Sequence, residues 1–261
     1  IGDSLVEWIM GDYLPADATL NRFFALHVIA LPLVLLLLVV LHLAALHEVG
    51  SNNPEGIDIK KHKDASGKPL DSIAFHPYYT VKDLFGAGFF LTICAFVLFF
   101  EPTFGGWFLE HDNFVAANKL VTPEHIKPVW YYTPYYAMLR VVPDKLLGVL
   151  AMFAALFVLF LLPWLDTSRV RSSYFRPIHK WVFWLLVIDV FALGTVGAHK
   201  PEGAYIVIGR IATFYYFFHF IILLPLIGWF ERPLPLPESI SAAVTRKAGG
   251  VPAASERGAV S

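Results

Sequence analysis

The chain has 261 residues, 57% of them hydrophobic, a net charge of −1 and a single cysteine. A soluble domain of this length would be less apolar, so the composition points to an integral membrane protein of several helices. The near-zero charge argues for no nucleic-acid partner, and the lone Cys94, set in an apolar run, excludes a disulfide framework and a cysteine zinc site.

Residues 1–18 carry apolar side chains at Ile1, Leu5, Ile9 and Tyr13, with Val6, Trp8 and Met10 beside them and Asp3, Glu7 and Asp12 toward water. The segment is too short to span and predicts an amphipathic helix lying in the membrane interface, ended by Pro15. Asp17 or Thr19 can cap the next helix. The chain opens on Ile1, in sequence that reads as internal, with no initiating Met and no signal peptide. It is expected to be one piece of a longer or split polypeptide.

Five runs are long enough to cross the membrane. The first occupies residues 19–48, with its apolar centre from Leu20 to Leu46, and the second occupies 81–102, centred on Leu84 to Phe100. Three more fill 144–230, at about Leu146 to Trp164, Ile178 to Ala198 and Tyr205 to Phe230. Pro32 and Pro225 lie inside spans, where a helix tolerates a kink if neighbours satisfy the freed carbonyls. The expected fold class is all-α and integral to the membrane: five transmembrane helices, a short interfacial segment before them, and a long outer loop carrying short helices.

Loop charge orients the spans. The loop 49–80 and its edges hold Lys60, Lys61, Lys63, Lys68 and Lys82; residues 165–177 hold Arg169, Arg171 and Arg176; the tail, 231–261, holds Arg232, Arg246, Lys247 and Arg257. All three fall on one side, which the positive-inside rule makes the inner one. The opposite side receives the acidic N-terminal segment and the loop 103–143. That loop is too long for a plain connection. It holds Trp107, Trp130 and the cluster YYTPYY, an aromatic density that also suits an interfacial belt. Residues 238–261 are rich in Ala, Gly and Ser and predict mobile chain.

The first span carries His27 and His42, fifteen residues apart. Along a helix at ~1.5 Å and ~100° per residue they stand about 22 Å apart and roughly 60° around the axis, one imidazole near each membrane surface. A histidine at membrane depth needs a partner, a metal or a cavity. Hydrogen bonds to neighbouring helices are one reading; metal or haem ligation is the other. Haem iron with two axial imidazoles needs a second histidine for each haem. His219 stands alone in the fifth span, and His179 and His199 lie about 30 Å apart at the ends of the fourth, at ~1.5 Å per residue. No matching pair is present, so on the haem reading the other ligands come from a segment outside this chain.

RFFALH at 22–27, Pro32, His42 and HEVGSNNP at 47–54 resemble cytochrome b of the ubiquinol–cytochrome c oxidoreductase (cytochrome bc) complex. FHPYYTVKD at 75–83 and KPVWYYTPYYAMLRVVPDKLLGVL at 127–150 carry the same resemblance, which extends to about residue 240 and corresponds to the family's C-terminal part. It implies that His27 binds the low-potential haem near the outer face and His42 the high-potential haem near the inner face. The fifteen-residue spacing belongs to only part of the family, fourteen being familiar elsewhere. It shifts the ring by one position and bears on haem tilt. Arg22 would pair with a haem propionate, or simply anchor the span at the headgroups.

The resemblance places an inner quinone site on His47, Ser51, Asn52, Lys82 and Asp83, with His47 and Asp83 as the proton-delivering pair. On residue types alone, His47 would snorkel and Asp83 would cap the second helix. An outer quinol site falls on Pro128, Val129, Trp130, Tyr131 and Tyr136. Many members have Glu where this chain has Val129, and Val129 cannot accept a proton; Tyr131, Tyr136, Glu124, His125 or a water chain could substitute. Asp189, in the apolar middle of the fourth span, and His219 are either functional or structural intramembrane polar groups.

The resemblance implies a subunit with two haem b groups that oxidises ubiquinol outside and reduces ubiquinone inside, translocating protons. Its partners would be the N-terminal part of cytochrome b, a Rieske iron–sulfur protein and a cytochrome c-type subunit, in a dimeric complex amid membrane lipid. The alanine- and proline-containing tail is similar to that of proteobacterial members, which implies a bacterial inner membrane. The alternatives are another quinone-reactive di-haem b subunit, which need not keep the outer aromatic motif, and a proton-coupled transporter, which would show no haem absorbance.

Overall fold

A computed structural model describes residues 2–116, 118, 120–121 and 126–247. Every regular element among them is helical. Helix α1 covers Gly2–Met10. Five further helices are long and apolar enough to cross a membrane or to make up such a span: α2 (Asp17–Val49), α3 (Phe75–Phe100), α5 (Lys145–Leu165), α6 (Pro177–Ala198) and α7 (Ala204–Phe230). Between α3 and α5 lies the short α4 (Thr133–Val141), and α8 (Ile240–Lys247) follows α7. The chain is thus a multi-pass membrane protein. It divides into two units, Ile1–Asn52 with His111–Glu124, and Asn53–Glu110 with His125–Ser261.

In the first unit, α1 stops well before Pro15. Gly11 takes a left-handed conformation (φ 77°) and its N–H closes on the carbonyl of Glu7 at 2.7 Å, a helix stop that needs no side chain. Thr19, not Asp17, supports the start of α2. Its hydroxyl accepts from the N–H of Ala16 (3.3 Å) and donates to the carbonyl of Met10 (2.7 Å). Helix α2 ends at Gly50 (φ 81°), whose N–H reaches Leu46.

Prolines within spans change the local winding. Pro32 follows a π turn at Leu26–Ala30, Pro225 one at His219–Leu223, and Pro163 a 3-10 turn at Val158–Leu161. A proline offers no N–H, and its ring crowds the carbonyl four residues back. Those carbonyls belong to Val28 and Ile221 for the first two, each inside the widened turn, so the π geometry removes the clash.

The core of the second unit lies among α4, α5, α6 and α7. It comprises Ala137, Met138 and Val141, Ala155 and Val158, Leu193 and Val196, and Ala212, Tyr216, Phe220 and Leu224. Small residues let the helices approach closely, as packing in hydrocarbon requires. A Cβ on Gly197 would run into the carbonyl of Thr133, and one on Gly148 into that of Leu139. Tyr216 donates to the carbonyl of Ala155 (2.9 Å), tying α7 to α5.

Three helix ends meet at a buried arginine. Arg176, at the start of α6, forks onto Asp166 at the end of α5 (2.8 and 3.0 Å) and donates through Nε to Glu231 at the end of α7 (3.2 Å). Glu231 in turn accepts from the backbone N–H groups of Ile178 (2.6 Å) and His179 (2.9 Å), capping α6. The tail is not wholly irregular. Asp71 accepts from the N–H of Ile240 (2.7 Å) and the hydroxyl of Ser241 (2.5 Å), so α8 gets its cap from a loop far back in the chain.

Candidate functional site

His27 lies inside the π turn of α2 and His42 in its regular α-helical part. A π turn takes up one residue without advancing the winding, so fourteen α-steps of ~100° remain and the offset becomes roughly 40° in the opposite sense to the 60° of an unbroken helix. The one-position shift expected from the spacing is therefore absorbed beside His27. Both residues are exposed, and no residue of α2 is buried. Neither imidazole has a hydrogen-bond partner among the described residues. Two free imidazoles on an apolar helix fit axial ligation of iron, one nitrogen to each metal. The described residues hold no group of three or more His, Cys, Asp or Glu that could bind a metal on their own.

Arg22 is committed locally. Its guanidinium caps the end of α1, donating to the carbonyls of Trp8 and of Ile9 (3.5 Å). Such a cation at a helix C-terminus satisfies orphan carbonyls and the macrodipole. This favours neither of the roles that the sequence suggested for it.

His47 sits in the last turn of α2, with Ser51 and Asn52 after the Gly50 stop, all but Gly50 exposed. In the other unit, Lys82 and Asp83 lie exposed in the first turns of α3. Asp83 makes no capping hydrogen bond, so the capping role considered for it is absent.

A cavity of about 580 Å³ opens at the C-terminal end of α6. Its walls include Trp107, Pro128, Trp130 and Tyr131 from the outer loop and Phe191 and Thr195 from α6. Trp107 and Trp130 lie 6.3 Å apart, and Tyr131 sits edge-on to Trp130 at 5.5 Å. Pro128 and Trp130 line the cavity on either side of Val129, which is half-buried. Tyr136 is not in the lining. Its hydroxyl donates to the carbonyl of Ile126 (2.9 Å), and Arg140 stacks over its ring at 4.9 Å. Glu124 and His125, the other candidate proton carriers, lie outside the described residues.

Two ionisable residues of this lining, Glu110 and His199, lie outside the motifs quoted above, while Lys127 opens the one at 127–150. Glu110 and Lys127 are paired at 3.6 Å. By sequence alone His199 stands out only as a histidine at the end of a span. Its place at the end of α6 was the available signal, because that end faces the same side as the outer loop. Asp189 and His219 are buried in α6 and α7, and Asp189 Oδ2 and His219 Nδ1 have no hydrogen-bond partner among the described residues.

The chain is similar to known proteins over most of its length. Residues 1–134 match the family model described as Cytochrome b(N-terminal)/b6/petB, and residues 116–217 match Cytochrome b(C-terminal)/b6/petD. Cytochrome b of Rhodospirillum rubrum is 52% identical over 248 residues, covering 95% of this chain and 58% of that protein. Cytochrome b of Rickettsia bellii is 53% identical over 240 residues, covering 92% of this chain and 57% of that protein. A chain of a solved hyperthermophilic respiratory Complex III superposes with a TM-score of 0.78 at 38% identity, covering 88% of this chain and 56% of that one. The chain therefore spans less than two thirds of the length of the relatives it matches.

Proposed function

The chain belongs to the cytochrome b/b6 family, and we propose that it is the C-terminal part of a di-haem cytochrome b that oxidises quinol near the outer membrane face and reduces quinone near the inner one. The observation that carries this reading is α2: a helix of this family with two imidazoles at opposite membrane depths, both free, on a surface that buries nothing. His27 binds the iron of the outer, low-potential haem b and His42 that of the inner, high-potential one. The second ligand of each comes from a helix that this chain does not contain. A haem b held in this way supplies reversible one-electron transfer across the membrane.

The other residues handle protons and quinone. Trp130, Tyr131 and Pro128 form an apolar and aromatic wall against which a quinol ring packs, with the polar groups of the cavity fixing its orientation. His47 and Asp83, an imidazole and a carboxylate, hydrogen-bond the quinone carbonyls inside and deliver protons to them, with Ser51, Asn52 and Lys82 completing that site. Tyr136 holds the outer loop in shape through Ile126. The partners are the N-terminal part of cytochrome b, a Rieske iron–sulfur protein and a cytochrome c-type subunit, in a dimeric complex of a bacterial inner membrane.

A dithionite-minus-ferricyanide difference spectrum of the purified complex containing this chain tests the reading. Two b-type haems with separate midpoints are expected, one of them lost in His27→Asn and the other in His42→Asn. A complex without a b-type band would refute it.

A further inference from the structure

Helix α7 carries a cation on a surface that faces hydrocarbon. Arg210 is exposed and is the seventh residue of α7, counted from Ala204. At ~1.5 Å per residue the 27 residues of this span measure about 40 Å, the thickness of a bilayer with its headgroups, and Arg210 lies about 9 Å from the start of the span. The Cα–Cβ bond of a helical residue tilts toward the helix N-terminus, so this side chain leans back toward headgroup level. A guanidinium at that depth, away from bulk water, needs an anion.

The chain does not provide one. Among the described residues the ion pairs are Lys127–Glu110, Arg176–Asp166 and Arg176–Glu231. What the chain does provide is a hold on the guanidinium. Arg210 Nε donates to the carbonyl of Val141, the last residue of α4 (3.0 Å). The neighbouring Gly209 is buried, and a Cβ there would strike the Val141 side chain, so α7 and α4 meet too closely for this geometry to drift. One of the five guanidinium N–H groups is used in this way, and the four on Nη1 and Nη2 point to a further acceptor.

The charges next to Val141 in the chain are Arg140, Asp144 and Lys145. Arg140 gives Nη1 to the carbonyl of His199 (3.1 Å) and lies over the Tyr136 ring. Asp144 caps α5 through the N–H of Leu147 (2.8 Å). Lys145 is exposed at the start of α5, four residues from Val141 and so within about 14 Å of it. With Arg210, this rim is net positive. Toward the membrane centre, Ile211 and Phe214 continue the face of α7 that carries Arg210; both are exposed, and Phe214 stacks on Phe218 at 5.9 Å.

We propose that Arg210, with Lys145, binds the phosphodiester of an anionic phospholipid of the phosphatidylglycerol type, whose acyl chain lies along Ile211 and Phe214. The phosphate takes the Nη donors as a charge-assisted fork. A zwitterionic lipid would bring an ammonium to a rim that is already positive, where the one carboxylate, Asp144, is engaged in its cap. The bound lipid joins the end of α4, the start of α5 and α7 from the hydrocarbon side.

The test uses the purified complex containing this chain, washed free of loose lipid in detergent. Spin-labelled phosphatidylglycerol is titrated in at constant ionic strength, and its immobilised fraction is read by electron paramagnetic resonance, with spin-labelled phosphatidylcholine as the control. Wild type should prefer phosphatidylglycerol by about tenfold, the scale of a charge-assisted hydrogen bond. Arg210→Gln should abolish the preference, and Arg210→Lys, which keeps the charge, should stay within about threefold of wild type. Lys145→Gln, at an exposed site, should lower it about threefold. Equal affinity of wild type for the two lipids overturns the proposal. So does an equal loss in Arg210→Gln and Arg210→Lys, which would trace the effect to the Val141 contact rather than to charge. Displacement of the label by excess inorganic phosphate would make this a site for soluble anions, and a map of the complex with another subunit's carboxylate on Arg210 would make it a protein interface; either result overturns the lipid assignment. Unchanged binding in Lys145→Gln removes Lys145 from the site. Neither haem nor quinol enters the readout, so the outcome is independent of the proposed function.

Discussion

Arg176→Met should loosen together the ends of α5, α6 and α7 that meet at its side chain. The Arg176 side chain is 1% exposed, and its two ion-pair partners are Glu231 at 2% and Asp166 at 35%. Removing the guanidinium strands a buried carboxylate, which typically costs about 3–5 kcal/mol. Asp166 is open enough to water that its share is small, so the cost rests on Glu231. That carboxylate keeps the N–H groups of Ile178 and His179, which brings the figure to the lower end, about 3 kcal/mol. At ~2–4 °C per kcal/mol for a chain of this size, the melting midpoint should fall by roughly 6–12 °C. Glu231→Gln added to Arg176→Met removes the stranded charge and keeps an acceptor for the capping N–H groups, so it should recover a good part of the loss. Tryptophan fluorescence during heating of the detergent-solubilised complex, at one fixed scan rate, measures both. A single variant melting within about 2 °C of wild type, or a double variant worse than the single by the full effect again, would refute the keystone role of Arg176.

Gly197→Ala should destabilise by about 1–3 kcal/mol because its Cβ meets the carbonyl of Thr133, whereas Gly194→Ala, whose Cβ would make contacts of 3.6 and 3.8 Å, should be nearly neutral; the same melting assay separates them. Deleting Ile29 should turn the π turn of α2 into α-helix and keep both haems, while deleting Leu36 should swing His42 by ~100° and lose one; pyridine haemochrome counts decide, and equal losses would sink the idea that the π turn absorbs a residue. The hydrogen bond from Ser241, with weaker help from the N–H groups of Ile240 and Ser241, holds the Asp71 carboxyl below its usual range. A depressed carboxylate stabilises above its unfolded pKa and loses that contribution as pH falls through the folded value. Amide exchange over Ile240–Lys247 should therefore rise, relative to the rest of the chain, as the pH drops below the ordinary carboxylate range, and Asp71→Ala should show that rise at neutral pH. Removing haem should expose residues 17–49 to exchange and proteolysis while 145–230 stay protected, since α2 buries nothing of its own; uniform loss would contradict this.

The spans were legible because an apolar run of such length has few other uses, and because a membrane helix satisfies its backbone internally whatever surrounds it. Their contacts were not. A helix that is apolar all round has no periodic face to betray its neighbours, so nothing in the fourth span marked Leu193 or Val196 as core and Phe191 as cavity lining. Local signals failed where the partner was remote. Helix α8 reads as loose chain until Asp71 reaches Ile240, and Arg22 reads as a headgroup anchor until α1 turns its carbonyls toward it. Pro32 announced a disturbance but not its kind; the widened turn depends on where the Val28 carbonyl would otherwise sit.

The same limit governs the site. Histidine at membrane depth and a dense aromatic motif are visible one residue at a time, so His27, His42, Trp130 and Tyr131 could be named from the sequence. The titratable lining of the cavity is different in kind. Glu110, Tyr131 and His199 come from an outer loop, a motif and a helix end that only folding brings to one lining. The spacing of His27 and His42 is plain in the sequence, but the angle between them is set by the π turn at Leu26–Ala30, which no single residue announces.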